Sequence, residues 1–221
     1  MSETLWRHVD EYIEKQIVGE TAELTAAVSN STAHGLPPIQ VSVAQGKLLY
    51  LLAQVQGARR VLEIGTLGGY STIWLAKALP ADGQLVTLEA DARHAGVAKE
   101  NLKAAGLQNV VDVRVGLAIE ILPLLLTGAG GAFDMVFIDA DKQSNADYFS
   151  WAVRLGRPGS LIIVDNVIRD GAVIDEATTD AAILGTRRLY DTIAAEPRVQ
   201  ATAIQTVGTK GYDGFVLARV L

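Results

Sequence analysis

Arg60-Val61-Leu62-Glu63-Ile64-Gly65-Thr66-Leu67-Gly68-Gly69-Tyr70-Ser71 is the stretch on which the reading of this chain turns. The apolar, β-branched run Val61 to Ile64 breaks into a glycine-rich turn. The turn then opens Thr72-Ile73-Trp74-Leu75-Ala76-Lys77-Ala78-Leu79, whose apolar residues recur at helical spacing. Strand, glycine turn and helix in that order suit a nucleotide-type ligand. Glycine lets the backbone turn sharply and approach a ligand closely, and the helix start offers free N–H groups to a carboxylate or phosphate.

Downstream of this turn the pattern alternates. Strands are expected at 60–65, 84–89, 110–115, 133–139 and 160–165, with helices at about 71–79, 91–105, 117–126 and 144–156. Near-continuous apolar strands between amphipathic helices imply a parallel sheet covered on both faces. A helix near 177–195 then leads to runs 200–207 and 213–220, joined by Gly208 to Tyr212, a link too short for a parallel crossover. These two are expected to pair antiparallel, as a hairpin at one edge of the sheet.

Upstream, Leu5, Val9, Tyr12, Ile13 and Ile17, then Leu24 and Val28, predict two helices broken at Gly19. Ser31 to Pro38 reads as a loop, and Ser42 as the N-cap of a helix that ends at Gly57. No repeat or linker divides the 221 residues, so one domain is expected over 1–221. Helices in 1–57 would cover the site, and an α/β core would occupy 58–221.

Hydrophobic residues make up 49% and charged residues 20%, an ordinary globular balance. The net charge of −6, with no basic stripe interleaved with aromatics, argues against nucleic acid. Without cysteine there is no thiol catalysis, disulfide or zinc-thiolate site. No leader and no apolar run of bilayer length is present, so a cytoplasmic protein with no membrane partner is expected.

Ligands of open α/β sheets sit beyond the carboxyl ends of the strands. Here those ends carry Glu63 before Gly65, Glu89, Asp139 with Asp141 and Lys142, and Asp165 with Asn166. Glu89, 24 residues after Gly65, has the reach to accept ribose hydroxyls, which points to a nucleoside; the alternative is an exposed acid at a strand end. Leu67 occupies the place of the second glycine of G-x-G-x-x-G, which counts against a dinucleotide. Asp139 and Asp165 lie one strand–helix–strand unit apart. With the Asn166 amide they form an oxygen set suited to Mg2+, or they cap loops and a helix instead. Lys142 is either a base for a hydroxyl proton or the ion-pair partner of Asp139 or Asp141.

Three segments, Val61 to Ser71, Phe133 to Lys142 and Val164-Asp165-Asn166, resemble the cation-dependent class I S-adenosylmethionine O-methyltransferases, the group of caffeoyl-CoA and catechol O-methyltransferases. Pro38 to Gly46 and Gly211 to Phe215 resemble it too, so the likeness runs from about residue 36 onward. It implies a Rossmann-like, mostly parallel seven-stranded sheet with helices on both faces and a C-terminal antiparallel hairpin. It further implies Asp139, Asp165 and Asn166 as ligands of a divalent cation (Mg2+, with Mn2+ or Ca2+ as alternatives) and Lys142, with Asp139, as the catalytic pair. Val41, Glu63, Gly65, Thr66, Ser71, Glu89, Ala118, Asp139, Asp141 and Tyr148 would bind S-adenosylmethionine. The acceptor would be a small phenolic molecule with vicinal hydroxyls, and the assembly a homodimer. Asn145 departs from relatives that act on acyl-CoA substrates, which often carry tyrosine there, and 167–171 matches no substrate class.

The competing readings are a nicotinamide-dependent oxidoreductase and a noncatalytic cofactor-binding protein. His8, His34 and His94 read as surface or loop residues, and Trp74 and Trp151 as core.

Overall fold

The computed structural model describes residues 2–127 and 130–221. Met1, within the span assigned to the single domain, lies outside the described residues. The chain opens with α1 (Glu3–Ile13), a π-helical turn (Glu14–Val18), α2 (Ala22–Ala33) and α3 (Val43–Gln56). Then come β1 (Arg60–Ile64), α4 (Tyr70–Ala78), β2 (Gln84–Glu89), α5 (Ala92–Ala104), β3 (Val111–Val115), α6 (Ala118–Leu126) and β4 (Phe133–Ile138). The last stretch holds α7 (Asn145–Leu155), β5 (Gly156–Asp165), α8 (Ala181–Ala195), β6 (Val199–Gly208) and β7 (Gly211–Val220).

One seven-stranded sheet has the order β3-β2-β1-β4-β5-β7-β6. The first five strands pair in parallel and β7 runs antiparallel to both β5 and β6. The strand order reverses between β1 and β4, so the carboxyl ends of those two strands flank a crevice. Strand periodicity divides the core in two. Val61, Leu85, Met135, Phe137 and Ile163 pack with residues of α2 to α5, while Leu62, Ile64, Val136, Ile138 and Val164 pack with residues of α6 to α8. Trp74 is buried in the first core and Trp151 packs, half-buried, against the second, with the Arg154 guanidinium 4.0 Å from its ring centroid.

Several boundaries differ from the sequence reading. Ser31 to Ala33, expected in a loop, extend α2, because Ser31 and Thr32 return their hydroxyls to carbonyls four residues back and stay compatible with helix. The last helix starts at Ala181 rather than near 177, since the Asp180 carboxylate caps it by accepting from the Ala182 and Ile183 amides. β5 begins four residues early, at Gly156. The hairpin link shrinks to Thr209-Lys210, because Gly208 already pairs with Gly211. Ser42 does cap α3, accepting from the Gln45 amide, and Gly57 ends it in the left-handed region.

Candidate functional site

The glycine turn after β1 forms one wall of a cavity of about 570 Å3 at the carboxyl ends of the strands. Gly65 has φ +99, and a Cβ there would run into the carbonyl oxygen of Asp139, so only glycine lets β1 and β4 end this close together. Leu67 adopts φ +50, a left-handed conformation that costs a leucine about 1–2 kcal/mol. Its amide is held by the Glu89 carboxylate at 2.8 Å, beside the Thr66 amide at 3.2 Å on the same oxygen. The other Glu89 oxygen accepts from the Asp91 amide at 3.0 Å, leaving it capacity for one further donor. The buried amide of Asn101 donates to the Gly68 carbonyl at 2.8 Å and contacts Ala27 O and Ser31 Oγ, tying α2 to the turn. Tyr70 donates its hydroxyl to Glu20 at 2.7 Å from the same turn. These bonds fasten α2 and Glu20 to the residues of the turn.

Of the residues expected to bind the cofactor, Val41, Gly65, Thr66, Ser71, Glu89, Ala118, Asp139, Asp141 and Tyr148 all line this one cavity. Glu63 does not. It points into the α4 side of the core, fully buried, and accepts hydroxyl protons from Ser71 at 2.7 Å, Thr72 at 2.5 Å and Thr87 at 2.7 Å. Burial pushes its carboxyl up to about 7 against the pull of those three donors. Tyr148 donates to Asp141 at 2.6 Å, fixing the wall that follows β4; burial first, then Asp141, raises the Tyr148 phenol.

At the β4 and β5 ends, Ile138 pairs with Val164, which sets the following Asp139 and the strand-terminal Asp165 beside one another. Asp165 is 5% exposed, and its carboxyl is pushed up to about 7, first by burial and then by the Asp139 charge. Lys142 donates to Asp139 at 2.7 Å, so the ion pair left open by the sequence is formed. Among the described residues no set of three or more His, Cys, Asp or Glu side chains is arranged to hold a metal. The expected set instead has two carboxylates and the Asn166 amide. Two carboxylates and an amide oxygen at adjoining strand ends are the oxygen ligands a hard divalent cation takes, so the chemistry of the donor set fits one.

Asn166, at φ +58, lines both the first cavity and a second of about 240 Å3. The second is bounded by Asp165, by Gln45 and Leu48 of α3, by Asp10 of α1, and by the β6–β7 hairpin with Phe215. The sequence reading missed most of this chamber, because its residues come from four distant segments and share no motif. It also misplaced His94. Rather than lying on the surface or in a loop, His94 sits on α5 in the first cavity's wall, its side chain 18% exposed and Nδ1 3.8 Å from Glu89. The signal was available, since Asp91 caps α5 and its first turn must then face the end of β2. His34 ends α2 with its ring nitrogen 2.9 Å from Asn30 O, and does not line either cavity.

A family model described as O-methyltransferase matches residues 13–221. A catechol O-methyltransferase of Niastella koreensis is 50% identical over 220 residues, covering 100% of each chain. An O-methyltransferase of Bacillus cereus, solved in complex with SAH, superposes with a TM-score of 0.98 at 50% identity, covering 100% of each chain. The O-methyltransferase TomG of Streptomyces achromogenes, solved with SAM, gives a TM-score of 0.96 at 49% identity, covering 100% of this chain and 99% of that one. No helix among the described residues is long and apolar enough to cross a membrane.

Proposed function

The chain belongs to the O-methyltransferase family, and from that premise we propose that it methylates one hydroxyl of a small aromatic vicinal diol. S-adenosylmethionine would be the donor, and Asp139, Asp165 and Asn166 would hold a divalent cation, Mg2+ before Mn2+ or Ca2+. The observation that carries this reading is the position of Asn166 in the walls of both cavities. A donor chamber and an acceptor chamber thus meet at the acid pair. The SAH and SAM carried by its structural neighbours, and the catechol in the name of a relative identical at half its positions, support the assignment of the two chambers. The family membership sets aside the nicotinamide and noncatalytic alternatives.

S-adenosylmethionine supplies a methyl group on a cationic sulfur and leaves as S-adenosylhomocysteine. A divalent cation supplies Lewis acidity that makes a bound hydroxyl easier to ionise. The remaining work falls to side chains. Glu89 takes a ribose hydroxyl through its less occupied oxygen, and the start of α4 with Ser71 faces the amino-acid end of the donor. Asp139 orients Lys142 at the junction, where its amine, after releasing its ion-pair proton to solvent, receives the proton of the acceptor hydroxyl. Holding both reactants in adjoining chambers makes the displacement effectively unimolecular. A homodimer, suggested by apolar faces such as Leu51 and Val55 on α3, belongs to the same proposal and is checked by light scattering; a cytoplasmic location is proposed with it.

The test is turnover of a catechol panel with and without EDTA. Methyl transfer that stops with chelator, returns with Mg2+ and is lost in Asp165→Ala supports the reading. Transfer indifferent to both removes the cation.

A further inference from the structure

The acceptor chamber has a distinctive charge pattern. Three carboxylates line it, and each is already engaged. Asp165 belongs to the acid pair and accepts from the Asn166 amide at 2.9 Å. Asp213 accepts from the Ile168, Arg169 and Gly214 amides and faces the Arg169 guanidinium at 3.9 Å. Asp10 is turned to the hairpin backbone, accepting from the Thr209 amide at 2.7 Å, and a Cβ on Gly208 would strike it.

Lys210, at the tip of the hairpin, is the cation of this lining. Its ammonium donates to the Pro38 carbonyl at 3.0 Å and, among the described residues, enters no ion pair, so two of its three protons are uncommitted. The side chain as a whole is exposed, yet the surroundings of its ammonium desolvate it enough to hold its pKa below the ordinary lysine value. A partly desolvated cation with a single neutral partner is stabilised by an anion that takes those protons. Leu48, Val207 and Phe215 line the same chamber as Lys210 and Asp165 and give it apolar wall, and its volume of about 240 Å3 suits one aromatic ring with a short substituent.

We infer that the physiological acceptor is a single-ring vicinal diol with an anionic tail, the diol at the Asp165–Asn166 end and a carboxylate at Lys210. This inference rests on the proposed methyl transfer and narrows its substrate class: neutral diols are poorer acceptors, and diols with an amine tail poorer still.

The experiment uses the full chain with S-adenosylmethionine and Mg2+. It compares kcat/KM for 3,4-dihydroxybenzoate, 3,4-dihydroxybenzyl alcohol and 3,4-dihydroxybenzylamine in wild type, Lys210→Arg, Lys210→Met and Lys210→Glu. Calorimetry of the benzoate on the S-adenosylhomocysteine complex gives a readout apart from turnover. The benzoate-to-alcohol ratio in wild type is expected to be about tenfold or more, carried by KM. Lys210→Arg keeps that ratio, Lys210→Met brings it near one and weakens benzoate binding, and Lys210→Glu reverses the order of benzoate and amine. Methylation of all three diols with a ratio near one in wild type, or a ratio unmoved in Lys210→Met, overturns this inference and leaves the methyltransferase reading intact. Methylation of none overturns both.

Discussion

The Leu67 amide donates to the Glu89 carboxylate at 2.8 Å across 22 residues of sequence, so the acid that faces the donor chamber is also the acid that holds the glycine turn in shape. Binding and local folding depend on one side chain. Glu89→Ala strips the Thr66 and Leu67 amides of their acceptor and leaves Leu67 in a left-handed conformation with nothing to hold it there. Affinity for S-adenosylhomocysteine should fall by about 30- to 100-fold, the equivalent of about 2–3 kcal/mol, with a lower melting temperature. Glu89→Gln, which keeps an acceptor oxygen for the turn, should recover the melting temperature but little of the affinity. Calorimetry giving wild-type affinity for either variant would remove Glu89 from nucleoside recognition.

Lys142 is poised by Asp139 at 2.7 Å. If it receives the acceptor proton, Lys142→Met should lower kcat by about 10²- to 10⁴-fold, well beyond any rise in KM for S-adenosylmethionine. Single-turnover rates measured across pH provide the check. A kcat within a few-fold of wild type would reduce Lys142 to a counter-ion for Asp139.

Glu63 predicts a pH effect with a definite sign. Its carboxyl, raised by burial to about 7 from 4.5, stays protonated in the folded chain after it has ionised in the unfolded one. Stability of the metal-free protein should therefore fall as pH rises from about 4.5 to about 7, by roughly 3 kcal/mol from this group, and level off above that range. Asp165, raised in the same direction, steepens the fall. In Glu63→Gln the decline should be about half as steep. Urea titrations at several pH values measure it, and an unchanged slope would show that Glu63 is ionised throughout.

Gly65→Ala tests the packing of two strand ends. The added methyl meets the Asp139 backbone at a φ of +99 that alanine resists, so a loss of more than about 2 kcal/mol is expected, together with displacement of Asp139. A melting temperature within two degrees of wild type would contradict the close approach.

The fold was legible where local pattern decides it. Continuous apolar runs gave the five parallel strands within a residue or two at most ends, because burial on both faces demands such runs, and Gly57 and Ser42 marked their helix ends through capping chemistry. The helix limits that failed turn on side chains with two local uses. Ser31 and Thr32 can break a helix or, as here, return their hydroxyls to carbonyls four residues back and continue it, and Asp180 sets the later start of the last helix. In the site, the motif residues Gly65, Asp139 and Asp165 were readable because each ends a strand or directly follows one. Glu63, two residues before Gly65, is drawn instead to the hydroxyls of Ser71, Thr72 and Thr87 and lies under the turn, outside the cavity wall. The second cavity was least legible, since Asp10, Gln45 and Lys210 come together in its wall from distant segments of the chain.

The strand order carries a further consequence, for the timing of folding. β7 lies between β5 and β6, and its Phe215 is the register partner of Asp165, while Asp213 pins the loop that follows. A nascent chain therefore cannot finish shaping its acid pair until residues 211–220 have left the ribosome, whereas the nucleoside-side turn between β1 and β2 can form more than a hundred residues earlier. Synthesis should pass through a state able to hold the donor but without a finished seat for the acceptor, and the enzyme would acquire its chemistry last.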